Sequence, residues 1–160
     1  GKAKKDQSMK DVESIINVIT ELRSFKNELN VSPGSFIDIS INKIAKKNKT
    51  LVTNNEIILK RLGRINNFYD KDQEKPSATL VISGDIFKIY FDENVDLNLI
   101  KENLTKRQKK YQEEMDKISQ RLSNKGFTDR APKNIVEQEK TNYSNLKNDI
   151  KKISLTIESL

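Results

Sequence analysis

The chain has 160 residues, 34% of them hydrophobic and 33% charged, so the sequence predicts a small globular part joined to an elongated one rather than one large core. It contains no Cys and no His, which excludes disulfides, zinc-thiolate sites and the hydrolase triads that need a histidine base. The 30 Lys and Arg residues against 23 Asp and Glu give a net charge of +7, which favours an anionic partner, although a lysine-rich genome produces the same bias.

The N-terminal part of the sequence predicts a disordered terminus followed by one helix. Residues 1–10 carry four lysines and little to bury, and we expect a disordered basic terminus there. Apolar residues then recur at steps of three and four from Asp11 to Leu29, which predicts an amphipathic helix. This helix is expected to end at Asn30, because Pro33 disfavours helical geometry just before it.

A small α+β unit is predicted to complete the segment 11–92. Alternating isoleucines over 35–41 predict a strand, and the lysines of 46–49 suggest a basic loop. A second helix is expected over 53–65, and a short strand near Phe68. The inward side of this second helix is predicted to carry Ile57, Ile58, Leu62 and Ile65.

Two short β runs close this unit. Residues 78–82 and 86–91 are joined by Ser83-Gly84-Asp85, which is a β-hairpin signal. The predicted order is therefore helix, strand, helix and β-hairpin.

Residues 96–160 are predicted to form a long antiparallel two-helix coiled-coil hairpin. Two heptad series run along each helix, and residues 123–131 interrupt them. Gly126 is expected to be a left-handed turn residue, and Pro132 suits the first position of the second helix. Polar residues occupy three heptad positions, namely Lys101, Gln108 and Glu139. The fold class expected for the chain is α+β: a small helix–strand–helix–β-hairpin unit followed by this coiled-coil hairpin.

The sequence offers no catalytic constellation and no metal site. Its glycines are isolated, so there is no phosphate-binding loop. Asp92, Glu93 and Asp96 lack the spacing of a calcium loop, and helix capping explains them better. We therefore expect no catalytic residues, no metal and no cofactor in this chain.

The informative charge feature is a set of basic residues along the first long helix and the turn after it. A basic stripe on a stiff rod suits a phosphate backbone, which needs repeated positive charge and little base readout, although a solvated coiled-coil surface would carry the same residues. Phe127 could stack on an exposed base or pin the turn onto the helix ends. The residues expected to bind nucleic acid are Lys106, Arg107, Lys109, Lys110, Lys117, Arg121, Lys125, Phe127 and Arg130.

The turn itself resembles a known family. Leu122-Ser-Asn-Lys-Gly-Phe127, then Arg130-Ala-Pro132 and Ile135-Val-Glu137, is similar to the turn of the C-terminal coiled coil of valyl-tRNA synthetases. The hairpin from Ser83 to Ile86, and the stretch from Ile19 to Pro33, also look like that family. The sequence departs from the family at residues 103–107, where Asn-Leu-Thr-Lys-Arg stands in place of Arg-Leu-x-Lys-Glu.

The resemblance implies a class I aminoacyl-tRNA synthetase that joins valine to its tRNA with ATP in the cytoplasm. This chain, which begins with Gly1, would be the C-terminal end of that enzyme: the end of the anticodon-binding region followed by the tRNA-binding coiled coil. It would lack the ATP site and catalytic activity, and its coiled coil would lean on the tRNA elbow, where the D and T loops meet. The expected partners are valine-accepting tRNA and the remainder of the synthetase in cis, and no membrane.

The resemblance also implies an open apolar face. Ile15, Ile19 and Leu22 would normally pack against helices outside this chain, so we expect self-association through the apolar face of helix 11–29.

Two other classes of protein share parts of this pattern. A prefoldin-like holdase also joins a coiled-coil hairpin to short strands, but it carries its strands between the two helices, where residues 123–131 are too few. The coiled-coil tail of an ABC-type ATPase binds duplex nucleic acid, but it is not expected to have the helix 11–29 and the strand after it.

Overall fold

A computed structural model describes residues 1–160, which divide into two compact units. The sheet unit comprises residues 1–97 with 159–160, and the helical-hairpin unit comprises residues 98–158. The predicted α+β class is confirmed. In chain order the elements are α1 (Lys2–Glu28), β1 (Ile37–Lys43), α2 (Lys46–Asn54), α3 (Glu56–Gly63), β2 (Ile65–Tyr69), β3 (Ala78–Ile82), β4 (Asp85–Phe91), α4 (Leu97–Ser123), α5 (Lys125–Arg130) and α6 (Lys133–Ser159).

The sheet unit is built around four strands in the order β2-β1-β4-β3. β1 pairs in parallel with β2, across the α2–α3 connection, and antiparallel with β4. β3 and β4 form the predicted hairpin, with Ser83 at φ 50° and Gly84 at φ 86°. Positive φ at both turn residues matches the right-handed twist of the strands, so the turn signal in the sequence is confirmed.

The core of this unit lies on the central strands. Ile39 and Ile89 are 1% and 0% exposed, and they face each other across β1 and β4. Tyr90 is also buried, but its hydroxyl group is paired with the Ser40 hydroxyl at 2.8 Å and accepts the Gln73 amide at 2.8 Å. These bonds hold the 70–77 loop against the sheet. They also satisfy the hydrogen-bonding capacity of the buried Tyr90 hydroxyl group.

The disordered terminus predicted for residues 1–10 is corrected, because α1 already begins at Lys2. Residues 2–10 contain no Gly or Pro, and the Gln7 side chain donates to Asp11 one turn later at 2.9 Å. Lysine, alanine, glutamine and methionine are good helix formers, so the helix extends even though this part of it buries nothing.

Ile19 and Leu22 are buried inside the sheet unit, so the prediction that they need an external partner is also wrong. α1 packs against α3 there. The large apolar residues of α1 that stay exposed are Met9, Val12 and Ile16.

The basic loop predicted at 46–49 is the first turn of α2. The Asp85 carboxylate explains the difference, because it accepts hydrogen bonds from the Ala45 amide at 2.8 Å and from the Asn48 side chain. This cap comes from a residue 40 positions away, so the local sequence contains no start signal for the helix. The helix predicted over 53–65 is accordingly shorter and begins as α3 at Glu56.

The inward face predicted for this helix is wrong as well. Ile57 is 86% exposed, whereas Leu59 and Gly63 are buried. A Cβ at Gly63 would lie 2.9 Å from the end of the Ile65 side chain, so this glycine leaves the space in which Ile65 packs. Of the four residues expected inside, only Ile65 is buried, since Ile58 and Leu62 are exposed too.

Lys26 is a buried cation in α1. Its ammonium group donates to the Ser35 carbonyl at 2.6 Å and to the Pro33 carbonyl at 3.4 Å, which fastens the loop after the helix. Burial lowers the pKa of Lys26 to about 8, and the neighbouring Arg64 and Arg23 lower it further in the same direction.

We expect this lysine to make the stability of the sheet unit rise with pH. Between about pH 8 and 10.5 the unfolded chain holds a proton that the folded chain has released, so the free energy of unfolding should increase by about 2–3 kcal/mol over this window. Urea unfolding followed by the amide NMR signals of β1 measures it. Lys26→Met should lack this increase, and an equal increase in both proteins would contradict the assignment.

The helical-hairpin unit is formed by α4 and α6, which run antiparallel. Gln108 donates to the Ile150 carbonyl at 3.4 Å and to the Ser154 hydroxyl, while Arg121 further along α4 meets Glu139 earlier in α6. The predicted hairpin is therefore confirmed. Its most buried heptad positions are Leu104, Met115, Ile118 and Ile153.

Gly126 does not adopt the left-handed conformation predicted for it, because residues 125–130 form the short helix α5. Asn124 caps this helix, and its side chain accepts the Gly126 amide at 2.9 Å. An Asx cap starts a new helical turn, so no glycine turn is needed at the tip. No helix in the chain is both long and apolar enough to cross a membrane.

Candidate nucleic-acid interface

The helix α4 sorts its charged side chains onto different sides. Arg107, Lys110, Lys117 and Arg121 follow one another at steps of three, seven and four, which places them along one line of the helix beside its buried heptad positions. Lys106 lies next to this line, towards the back of the helix, so the five cations fall within an arc of about 100°. We call these five residues the basic edge.

Acidic residues of α4 border the basic edge. Glu102 and Glu113 lie within about 40° of Lys106 around the helix, Asp116 lies further round, and Glu114 lies within the edge itself. Lys109, which the sequence grouped with the other cations, lies among these acids. The helix thus gives the hairpin one cationic side and one mixed side, which the linear sequence does not display.

Arg121 is engaged by a residue of the opposite helix. Its Nη2 and Nε lie 2.7 and 3.2 Å from the same Glu139 oxygen, and the Glu139 side chain is 19% exposed. Glu139 can therefore occupy a largely buried heptad position because its carboxylate is paired with the Arg121 guanidinium. This pairing, which spacing along one helix cannot show, makes Arg121 a less available phosphate ligand than its neighbours.

The lysines of the edge are available to an anion. Lys106, Lys110 and Lys117 are exposed and make no ion pair, and the same holds for Lys109 on the other flank. A hydrated lysine can exchange water and counterions for a phosphate oxygen without breaking a protein contact.

The tip of the hairpin holds the remaining predicted residues. Lys125 and Arg130 are exposed at the two ends of α5. Phe127 is half-buried, and its carbonyl accepts the Ala131 amide at 2.8 Å. The tip therefore offers two cations beside one partly accessible ring. No group of three or more acidic side chains is close enough in the structure to hold a metal ion.

Comparison with known proteins identifies the hairpin. The family model described as "Valyl tRNA synthetase tRNA binding arm" matches residues 96–160. Neither an ABC-type ATPase tail nor a prefoldin-like holdase is supported by this match, and the residues between α4 and α6 form α5 rather than strands.

Individual relatives match the sheet unit as well. The valine–tRNA ligase of Pelagibacter ubique is 68% identical over 160 residues, which is 100% of this chain and 18% of the relative. The valine–tRNA ligase of Francisella tularensis is 32% identical over 126 residues, 78% of this chain and 14% of the relative, and that of Bartonella quintana is 30% identical over 151 residues, 94% and 17%. The chain thus spans less than a fifth of the length of these relatives. These matches show that the chain belongs to the valyl-tRNA synthetase family, within which its residues 96–160 correspond to the tRNA binding arm.

Proposed function

We propose that this chain serves a valine–tRNA ligase by binding tRNA, while aminoacylation takes place in other parts of the enzyme. The observation that carries the proposal is the basic edge of α4, which lies within the segment that matches a tRNA binding arm. The names of the relatives give valine and tRNA as what the whole enzyme joins. We propose that this enzyme uses ATP, acts on valine-accepting tRNA and works in the cytoplasm.

The basic edge supports a phosphate-directed mode of binding. Lys106, Lys110 and Lys117 present flexible ammonium groups at repeated spacing, which fits a sugar–phosphate backbone better than the edge of a particular base. We propose that the edge lies against the tRNA elbow, with Lys125 and Arg130 extending the contact at the tip. Phe127 is half-buried and would contribute at most one stacking face.

Lys109 and Arg121 contribute less in this proposal than the sequence suggests. Lys109 points away from the basic edge, and Arg121 would have to leave Glu139 to meet a phosphate. Arg107 is half-buried next to the heptad positions and reaches the same side as Lys110.

The exposed apolar residues of α1 support a second contact. Met9, Val12 and Ile16 line one side of its N-terminal half. We propose that this side meets the remainder of the synthetase in the whole enzyme, and that it promotes self-association when the chain is alone.

A salt titration tests the proposal. The 160-residue chain is titrated with valine-accepting tRNA, duplex DNA and an unfolded protein at several salt concentrations. If about five phosphates are neutralised, the logarithm of the tRNA affinity should fall with the logarithm of salt at a slope of about −3.5 to −4.5. Equal affinity for duplex DNA would favour a general nucleic-acid tail, and a preference for the unfolded protein would contradict RNA binding.

A further inference from the structure

A second concentration of positive charge lies outside the helical hairpin. Between Asp38 and Asp70 the sequence holds seven Lys and Arg residues and a single acidic residue, Glu56. Residues 103–128, which include the basic edge, hold seven basic residues and three acidic ones. Within the sheet unit the excess of positive charge is confined to this α2–α3 region, because the other residues of the unit include nine basic and thirteen acidic ones.

Some of these cations have structural partners and some do not. Lys43 lies 3.4 Å from Asp72, and Lys60 lies 2.7 Å from Glu56. Lys46, Lys47 and Lys49 of α2 form no ion pair, and the first two are exposed. The stability of the sheet unit therefore does not explain why three lysines are grouped on this helix.

The position of two of these lysines is unfavourable for α2 itself. Lys46 and Lys47 lie in its first turn, which contains no acidic residue, and cations there oppose the helix dipole. The nearby carboxylate of Asp85 has both oxygens occupied, one by the Ala45 amide and the other by the Asn48 side chain.

The rest of the exposed side of α2 is polar. Thr50, Thr53 and Asn54 continue the side that begins with Lys46 and Lys47, and it has neither an acidic nor a large apolar residue. A protein interface needs apolar or aromatic anchors at its centre, whereas phosphate contacts use lysines and hydroxyl groups. The composition of this side therefore favours a phosphate backbone over an acidic protein.

We propose that the exposed side of α2, centred on Lys46 and Lys47, is a second contact for the phosphate backbone of the RNA that the helical hairpin binds. This inference rests on the proposed function, because it assigns to the same RNA a second region of the protein. Lys49, half-buried at the margin of this side, adds charge to it.

A matched pair of charge reversals in the 160-residue chain tests the inference. The test variant is Lys46→Glu with Lys47→Glu, and the control is Lys4→Glu with Lys5→Glu, which changes the net charge equally on exposed residues of α1. Loss of two phosphate contacts should lower the tRNA affinity of the test variant about tenfold relative to the control at about 0.1 M salt, and reduce the magnitude of the salt slope by about 1.4–1.8.

A neutral variant checks that lost affinity is not caused by misfolding, and the outcomes distinguish failure of this inference from failure of the proposed function. Glutamates in the first turn suit the helix dipole, so α2 should persist, and the neutral pair Lys46→Gln with Lys47→Gln should lose affinity as well, to a smaller extent. Equal affinities of the test and control variants, in a chain that binds tRNA, would overturn this inference alone and point to an acidic protein partner. Absence of tRNA binding by the unmodified chain would overturn the proposed function and this inference with it.

Discussion

Exchanging Lys110 and Lys117 for glutamate should weaken tRNA binding by the 160-residue chain at least about tenfold at about 0.1 M salt, with a salt slope smaller in magnitude by about 1.4–1.8. Both side chains are exposed on the basic edge and neither forms an ion pair, so their reversal removes phosphate contacts without breaking a contact of the fold. A filter-binding or fluorescence titration at three salt concentrations gives both quantities.

The control for this prediction lies on the opposite helix of the same hairpin. Lys147 and Lys151 of α6 are exposed and unpaired, and they do not belong to the basic edge. Reversing both changes the net charge by the same amount, so long-range electrostatics alone would weaken both variants equally. An equal loss of affinity in the two variants would refute the assignment of the edge as the RNA-facing side.

Shortening Ile39 to alanine should lower the free energy of unfolding of the sheet unit by about 2–5 kcal/mol. Ile39 is 1% exposed on the central strand and lies opposite Ile89, which is 0% exposed, so the removed atoms leave a cavity that the paired strands cannot close. Urea unfolding followed by the amide NMR signals of β4 measures the loss within this unit.

An exposed strand residue provides the comparison. Val81 on the edge strand β3 is 57% exposed, and its shortening to alanine should change stability by less than about 0.5 kcal/mol. A similar loss for Val81→Ala and Ile39→Ala would mean that strand propensity, rather than burial in the core, determines the stability of the sheet.

Regular patterns in the sequence were enough to predict the parts whose stability is local. The heptad series of α4 and α6 repeat over several turns, and they predicted both the helices and their antiparallel pairing, which the contacts of Gln108 and Arg121 bear out. The Ser83-Gly84 turn similarly predicted the β3–β4 hairpin, because few residue pairs tolerate positive φ at both positions.

Features that depend on residues far apart in the chain could not be predicted from the sequence. The start of α2 is set by Asp85, which belongs to a strand formed much later in the chain. The buried side of α3 includes Gly63, which has no side chain to mark it as apolar, so a search for apolar periodicity selects Ile57 and Ile58 instead.

The candidate interface was predictable in composition but not in arrangement. The sequence identified the cluster of cations, whereas only the helix separates Lys109 from Lys106, Lys110 and Lys117. The occupation of Arg121 by Glu139 could not be predicted, because it joins two helices across the tip of the hairpin.

The order of strands in the sheet has a consequence for biosynthesis. β1 occupies an inner position, yet both of its neighbours, β2 and β4, are translated after it. On the ribosome, one edge of this isoleucine-rich strand therefore stays unpaired until Tyr69 of β2 has emerged, and the other until Phe91 of β4 has emerged. Unpaired strand edges template pairing with other chains, so the growing polypeptide is exposed to aggregation during this interval.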